Sequence, residues 1–182
     1  MNGSREALIF MEKFKQMKKL LIVGAGGHGK VVAEIAQDCG YEQIAFLDDN
    51  STEAIGKVNE LEQFVQQYPE AFVAIGNNEV RGNILTLLKN AGYEIPTLIH
   101  PTAYISRTAM IESGTVVEPK AIVNTNAKIE EGCIISVGTI VDHDTQVGCC
   151  VHVNAGAVVK AGTSMKAYQR LDAGMVWADS KC

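Results

Sequence analysis

From Ile105 onward a bulky apolar residue returns at every sixth position: Ile105, Ile111, Val117, Val123, Ile129, Ile135, Val141, Val147, Val153, Val159, Met165, Leu171 and Trp177. Apolar residues form 47% of the chain, so chance would produce so long a fixed-phase run roughly once in ten thousand trials. The intervening positions are phased as well. Four residues after the apolar position the side chain is usually small, as at Ala109, Thr115, Ala121, Ala127, Cys133, Thr139, Thr145, Ala157 and Thr163. Three residues after it glycine recurs, at Gly114, Gly132, Gly138, Gly156, Gly162 and Gly174. A period of six belongs neither to a helix nor to an alternating strand. It predicts a chain wound into a prism, one short strand and one turn per six residues. The large residue fills the axis, the small one lies at the corner, and glycine supplies the turn angles. Three such units close one coil, so 105–182 makes about four coils, each rising about 4.8 Å.

The first hundred residues carry a different pattern. Residues 20–23, 44–47, 72–75 and 97–99 read as short buried strands. Residues 30–39, 60–68 and 79–91 have helical spacing, with Gly40 and Gly92 as stops and Pro69 after the second. Strands alternating with helices predict a parallel sheet with its ligand loops at the carboxyl ends of the strands. Those loops are 24–29, 48–50 and 76–78. His100-Pro101 marks the junction between the α/β region, 17–100, and the repeat region, 101–182. Residues 1–16 read as an extension, a tag or a short frayed helix.

Gly24, Gly26 and Gly29 match G-x-G-x-x-G between a strand and a helix, with Asp48 about twenty residues on. Exposed N–H groups at a helix start suit a phosphate or pyrophosphate. A full dinucleotide fold needs two mononucleotide halves, and about eighty residues supply one. A nucleotide-sugar diphosphate, a nicotinamide cofactor and a tight turn without ligand all remain open from these residues.

Net charge is −5 and the basic residues are dispersed, which argues against nucleic acid as a partner. No apolar run reaches the eighteen or so residues of a membrane span, and the opening segment does not read as a signal peptide. The cysteines Cys39, Cys133, Cys149, Cys150 and Cys182 lack metal-ligand spacing and read as free cytosolic thiols. Of the four histidines, His28 lies in the glycine turn and His100 reads as structural. His143, in Asp142-His143-Asp144, lies two positions past Val141 on the outer or corner side of the coil. Flanking carboxylates raise an imidazole's basicity and orient it, as a general base requires. A surface histidine among acids is the other reading. The repeat region holds two histidines where a zinc site needs three convergent ones, so no metal is expected.

The stretches Ile22-Val23-Gly24-Ala25-Gly26-Gly27-His28-Gly29-Lys30, Phe46-Leu47-Asp48-Asp49, Ala74-Ile75-Gly76-Asn77-Asn78-Glu79-Val80-Arg81 and Leu98-Ile99-His100-Pro101 together resemble the NeuD/PglD type of sugar acetyltransferase. Within it, the chain is most similar to the N-acetyltransferases of UDP-4-amino-sugars. The resemblance implies a Rossmann-like nucleotide-sugar-binding domain followed by a left-handed parallel β-helix, a homotrimer with active sites between subunits, acetyl-CoA as donor, and cytoplasmic glycan biosynthesis. Carried over by position, the nucleotide-sugar site falls on Gly26, Gly27, His28, Asp48, Asp49 and Gly76. The base falls on His143, with Asp144 as its partner where the family often has glutamate. Acetyl-CoA contacts fall on His152 and Ala173, and the N–H near Ala161 is the expected oxyanion donor. The family's further coils and CoA-covering segment have no counterpart in the unit 177–180, which departs from the hexad. Rival readings are a sugar O-acetyltransferase of the sialic-acid type, a non-catalytic trimeric nucleotide-sugar scaffold, and an NAD-dependent oxidoreductase.

Overall fold

A computed structural model describes residues 17–178; the expectations for 1–16 and for the chain beyond Ala178 lie outside the described residues. The α/β region contains three parallel strands, β1 (Lys19–Val23), β2 (Gln43–Leu47) and β3 (Glu70–Val73), in the order β2-β1-β3. Helix α1 (Gly27–Asp38) follows β1 and helix α2 (Asn78–Asn90) follows β3. The helix expected over 60–68 is instead a 3-10 helix, Val58–Phe64. Its apolar residues Val58, Leu61 and Phe64 are three apart and join one core cluster, the spacing that a three-residue turn aligns. Alternate residues of β1 are buried on opposite faces. Leu21 and Val23 pack toward α2, whereas Leu20 and Ile22 pack toward α1, as a strand covered on both sides requires.

The repeat region is a parallel β-helix of about four turns. Its two-residue strands stack into three sheets of five, five and four strands. Partners are eighteen residues apart, as in Ile135↔Val153, Val141↔Val159 and Val147↔Met165. The sixth-position residues from Val117 to Leu171 form one buried axial column, with the small residues Ala121, Ala127, Cys133 and Ala157 beside it. Every sixth residue from Gly114 to Gly174 is left-handed, with φ between 54° and 69°. That set includes Lys120, Asn126, Asp144, Cys150 and Tyr168, so the turn demands this conformation even where glycine is not supplied. Thr97–Ile99 reads differently in three dimensions than in the sequence: Leu98–Ile99 pairs with Val116–Val117 and starts the first face of the coil. It has no partner in the α/β sheet because Leu98 N–H donates to Thr115 O at 3.0 Å.

Each face presents outward the residue preceding the axial one. On the first face these are Leu98, Val116, Ile134, His152 and Arg170. Leu98, Val116 and Ile134 are buried with Leu20, Ile22, Val32, Ile35 and Phe72 in one cluster, so the α/β lobe sits on this face. Burial of this kind contributes about 2 kcal/mol per side chain. The second face presents Tyr104, Ile122, Ile140, Val158 and Val176, and of these Tyr104 and Val176 are more than half exposed. The third presents Met110, Lys128, Gln146 and Ser164. Among the described residues no helix is long and apolar enough to cross a membrane, and the described cysteines are free thiols.

Candidate active site

The glycines of the 24–29 turn divide into two kinds. Gly24 has φ +107°, and a Cβ there would lie 2.8 Å from Ala74 O. A Cβ on Gly29 would lie 2.1 Å from Gly24 O, so the close approach of α1 to β1 excludes any side chain. By contrast, a Cβ on Gly26, Gly27 or Gly76 would meet nothing within 4 Å, and none of these three has positive φ. The fold does not require glycine there, and its use keeps space open at the start of α1. That helix has no side-chain cap and no acidic residue in its first turn, so its N–H groups and dipole face an open region suited to an anion.

The two aspartates after β2 hold this region together. Asp48 Oδ2 accepts from Ala25 N–H at 2.8 Å, and Oδ1 accepts from the N–H groups of Asn50 (2.8 Å) and Ser51 (3.0 Å). The Ala25 bond, followed by that from Asn50, holds its carboxyl below the usual carboxylate range. Asp49 Oδ1 accepts from Val58 N–H at 3.1 Å, and its carbonyl accepts from Lys57 Nζ.

His28, in the first turn of α1, faces the coil. Its Nδ1 lies 3.7 Å from Glu118 Oε1, and Glu118 Oε2 accepts from Val137 N–H at 2.9 Å. Burial pushes the Glu118 carboxyl up. On the first face of the coil, His152 Nε2 lies 3.2 Å from Ser136 Oγ, with the Gly76 backbone beside the ring. Burial, then the Arg81 charge, pushes His28 down to about 4. Burial, Arg81, Arg170 and His28 do the same to His152. Both imidazoles are therefore neutral at neutral pH, and His28 Nε2 and His152 Nδ1 are buried without a hydrogen-bond partner. An open depression of about 400 Å³ is lined by Gly76, Asn77, Asn78, Glu79 and Arg170, the last being the strand partner of His152.

His143 lies at a different place, the corner after the second face. Its Nδ1 is 2.7 Å from Asp144 Oδ2, and both side chains are about half exposed. Asp144 is in the left-handed turn conformation, φ 56°, which aspartate tolerates. This conformation swings the short carboxylate back onto the adjacent ring. Asp144 Oδ1 accepts from Asn126 Nδ2 at 3.0 Å, one coil below. The Asp144 bond, aided by the Asp142 and Asp144 charges, raises the His143 pKa. With Nδ1–H donated to Asp144, Nε2 is left as a free base.

Eighteen residues on, Ala161 occupies the same corner. The equivalent N–H groups one and two coils earlier are capped by the preceding side chain: His143 N–H by Asp142 Oδ1 at 2.8 Å and Thr125 N–H by Asn124 Oδ1 at 2.8 Å. Lys160 has no acceptor to offer Ala161, and Ala161 N–H has no hydrogen-bond partner among the described residues. Ala173 lies at the corner between the first and second faces, in column with Val137 and Ala155. Within the chain, then, His28, His152 and Gly76 come together, His143, Asp144 and Ala161 form a second group, and Ala173 stands apart from both.

Sequence reasoning assigned no role to Arg81 or Glu118. Arg81 is 1% exposed and Glu118 7%. The signal for the first was an arginine on the apolar stripe of a helix, in line with Ile84, Leu85 and Leu88.

The family model described as the PglD N-terminal domain matches residues 19–88. A UDP-N-acetylbacillosamine N-acetyltransferase of Bacillus subtilis is 33% identical over 111 residues, which are 54% of this chain and 50% of that protein. The chain thus spans half the length of that curated relative. The acetyltransferase domain of PglB from Neisseria gonorrhoeae, solved with acetyl coenzyme A, is 36% identical with a TM-score of 0.83, covering 87% of this chain and 81% of that one. PerB from Caulobacter crescentus, solved with CoA and GDP-perosamine, is 28% identical with a TM-score of 0.76, covering 88% of each chain. The match makes the coil a left-handed β-helix.

Proposed function

The chain belongs to the PglD-type family of sugar acetyltransferases, and from that premise we propose that it transfers acetyl from acetyl-CoA to the amine of a UDP-linked 4-amino-sugar. The observation that carries the reading is the pairing, at one corner of the coil, of an imidazole oriented by Asp144 with the uncapped Ala161 N–H one coil above. The sugar amine attacks the acetyl carbonyl carbon. A C–N bond forms, the C–S bond breaks, and CoA leaves as the thiolate. His143 Nε2 takes the amine proton and passes it to the thiolate, while Asp144 holds the ring's tautomer. Ala161 N–H is the proposed oxyanion donor.

The acceptor's diphosphate is assigned to the start of α1, in the space left by Gly26, Gly27 and Gly76, with His28 beside it. Asp48 and Asp49 shape its walls. His152 and Ala173 are the remaining donor-side positions. These groups lie on different faces of one protomer, which favours a site completed between copies. The exposed apolar column Tyr104, Ile122, Ile140 and Val176 runs beside the His143 corner and suits burial against a second copy in a trimer. Burying that face would set His143 at the edge of a cleft. A cytoplasmic setting fits the free thiols and both substrates, and no metal enters the chemistry.

The test is thiol release from acetyl-CoA with UDP-, GDP- and CMP-linked amino-sugars. Acceptor-dependent release with the UDP-sugar is expected, and His143→Ala should lower kcat by about 10²–10⁴-fold. Absence of release with every acceptor, or undiminished turnover in the variant, would overturn the assignment.

A further inference from the structure

Arg81 heads the largest fully buried side chains, at 1% exposure, and no carboxylate among the described residues pairs with it. A buried cation without a counter-ion is costly unless every N–H finds an acceptor. Here the acceptors lie on both parts of the molecule. On the α/β side, Nη1 donates to Ile75 O at 2.9 Å and Nη2 to Asn78 Oδ1 at 2.8 Å. On the coil, Nε donates to Gly132 O at 2.6 Å and Nη2 to Cys150 O at 2.7 Å. Asn78 extends the set, its Nδ2 donating to Tyr168 O (2.9 Å) and Gln169 O (3.0 Å).

Gly132, Cys150 and Tyr168 stand one above another at a single corner, all left-handed with φ of 69°, 54° and 62°. Cysteine and tyrosine are held there in a conformation that bulky residues avoid, a strain that persists only where its surroundings enforce it. Their carbonyls accept no backbone hydrogen bond among the described residues, and the α/β lobe takes them instead. Gly82 permits the approach of α2, since a Cβ there would lie 2.9 Å from the Tyr168 ring. The segment fastened in this way is the 76–78 loop, which lines the open depression together with Arg170. The Arg81 charge lowers the pKa of both His28 and His152, so the clasp lies near both rings.

We propose that Arg81 and Asn78 are positioning residues for the acceptor site: they pin the 76–78 loop to three successive coils and so fix the width of the depression that this loop lines with Arg170. The inference rests on the nucleotide-sugar reading of that pocket. A planar fork that reaches two coils and the loop at once cannot be replaced by a single ammonium.

The experiment measures KM for each substrate, and UDP binding by calorimetry, in the wild-type chain, Asn78→Ala, Arg81→Lys and Lys89→Ala. Asn78→Ala removes the outer half of the clasp and one acceptor of Arg81 but keeps the guanidinium and its carbonyl partners on both lobes, so it keeps the test informative if Arg81→Lys fails to fold. Expected are an acceptor KM and a UDP Kd raised about tenfold in Asn78→Ala, more in Arg81→Lys, with the acetyl-CoA KM within twofold of wild type. Lys89→Ala breaks the exposed interlobe pair with Glu131 and should leave all three constants unmoved. Equal changes in both KM values, no change in Asn78→Ala, or an equal effect of Lys89→Ala would overturn the proposal. Failure of the wild-type chain to bind UDP would instead remove the nucleotide-sugar reading beneath it.

Discussion

Two glycines two residues apart should respond to the same substitution in opposite ways. Gly27 opens α1, and a Cβ there meets nothing within 4 Å. Alanine is the better helix residue and restricts the unfolded chain, so Gly27→Ala should stabilise the fold by about 0.5 kcal/mol. Gly29 is the reverse case. Its added methyl would sit 2.1 Å from Gly24 O and 2.9 Å from Gly24 C, roughly 1 Å or more inside contact distance. The obstructing atoms are backbone, so relief requires α1 to move off β1. The cost lies at the top of the overpacking range, about 3 kcal/mol. For a chain of this length 1 kcal/mol corresponds to about 2–4 °C. Gly27→Ala should therefore melt about 1–2 °C above wild type and Gly29→Ala about 6–12 °C below it. Calorimetry with UDP supplies the second axis. The more stable Gly27→Ala should bind at least about tenfold more weakly, a loss of about 1.4 kcal/mol, because its methyl occupies the space assigned to the diphosphate. Wild-type affinity in Gly27→Ala, or a Gly29→Ala variant as stable as wild type, would refute the division of this turn into fold-bearing and space-keeping glycines.

Other consequences can be checked as directly. Asp144 raises the His143 pKa, so kcat/KM should rise as His143 loses its proton on a limb above the ordinary 6.5. Asp144→Asn should move that limb to lower pH and lower the plateau, and an unmoved limb would remove Asp144 as the orienting group. Lys160→Asn gives residue 160 the acceptor that Asn124 and Asp142 already present in their coils. It should cap Ala161 N–H, lower kcat by about 10²-fold and leave the melting temperature unchanged; full activity would exclude that N–H as oxyanion donor. His28 and His152 are held at about 4, below the ordinary 6.5, so the folded state prefers them neutral. Their contribution to stability is complete above about pH 6.5 and is lost as pH falls toward 4. A melting temperature that does not drop over that window, or a drop that His28→Gln fails to reduce, would show that these rings do not carry the acid sensitivity.

The fold was legible because its rule repeats every six residues, and each repeat samples the same environment. Val123, Val141 and Val159 each fill the same axial position, so their side chains must agree. The turn was half legible. Gly138 and Gly156 announce positive φ, but Asp144, Cys150 and Tyr168 adopt the same angle although their identity does not demand it. That blind spot concealed how Asp144 reaches His143, since the reach of a short carboxylate depends on the backbone beneath it.

Function follows a longer period, eighteen, because a corner column rather than a hexad is what a ligand or a second lobe meets. One column, Thr125, His143 and Ala161, differs from coil to coil in what precedes it, and of these three Ala161, after Lys160, is the one whose N–H has no partner among the described residues. Another, Gly114, Gly132, Cys150 and Tyr168, receives α2. The first face changes from Leu98, Val116 and Ile134 to His152 and Arg170 where the covering lobe gives way to the depression beside Gly76. Read at a spacing of six, His152 and His143 are both merely near axial valines. Read at eighteen, they belong to different walls, so the proposed function, which gives both a place at one acetyl group, calls for the wall of a neighbouring copy.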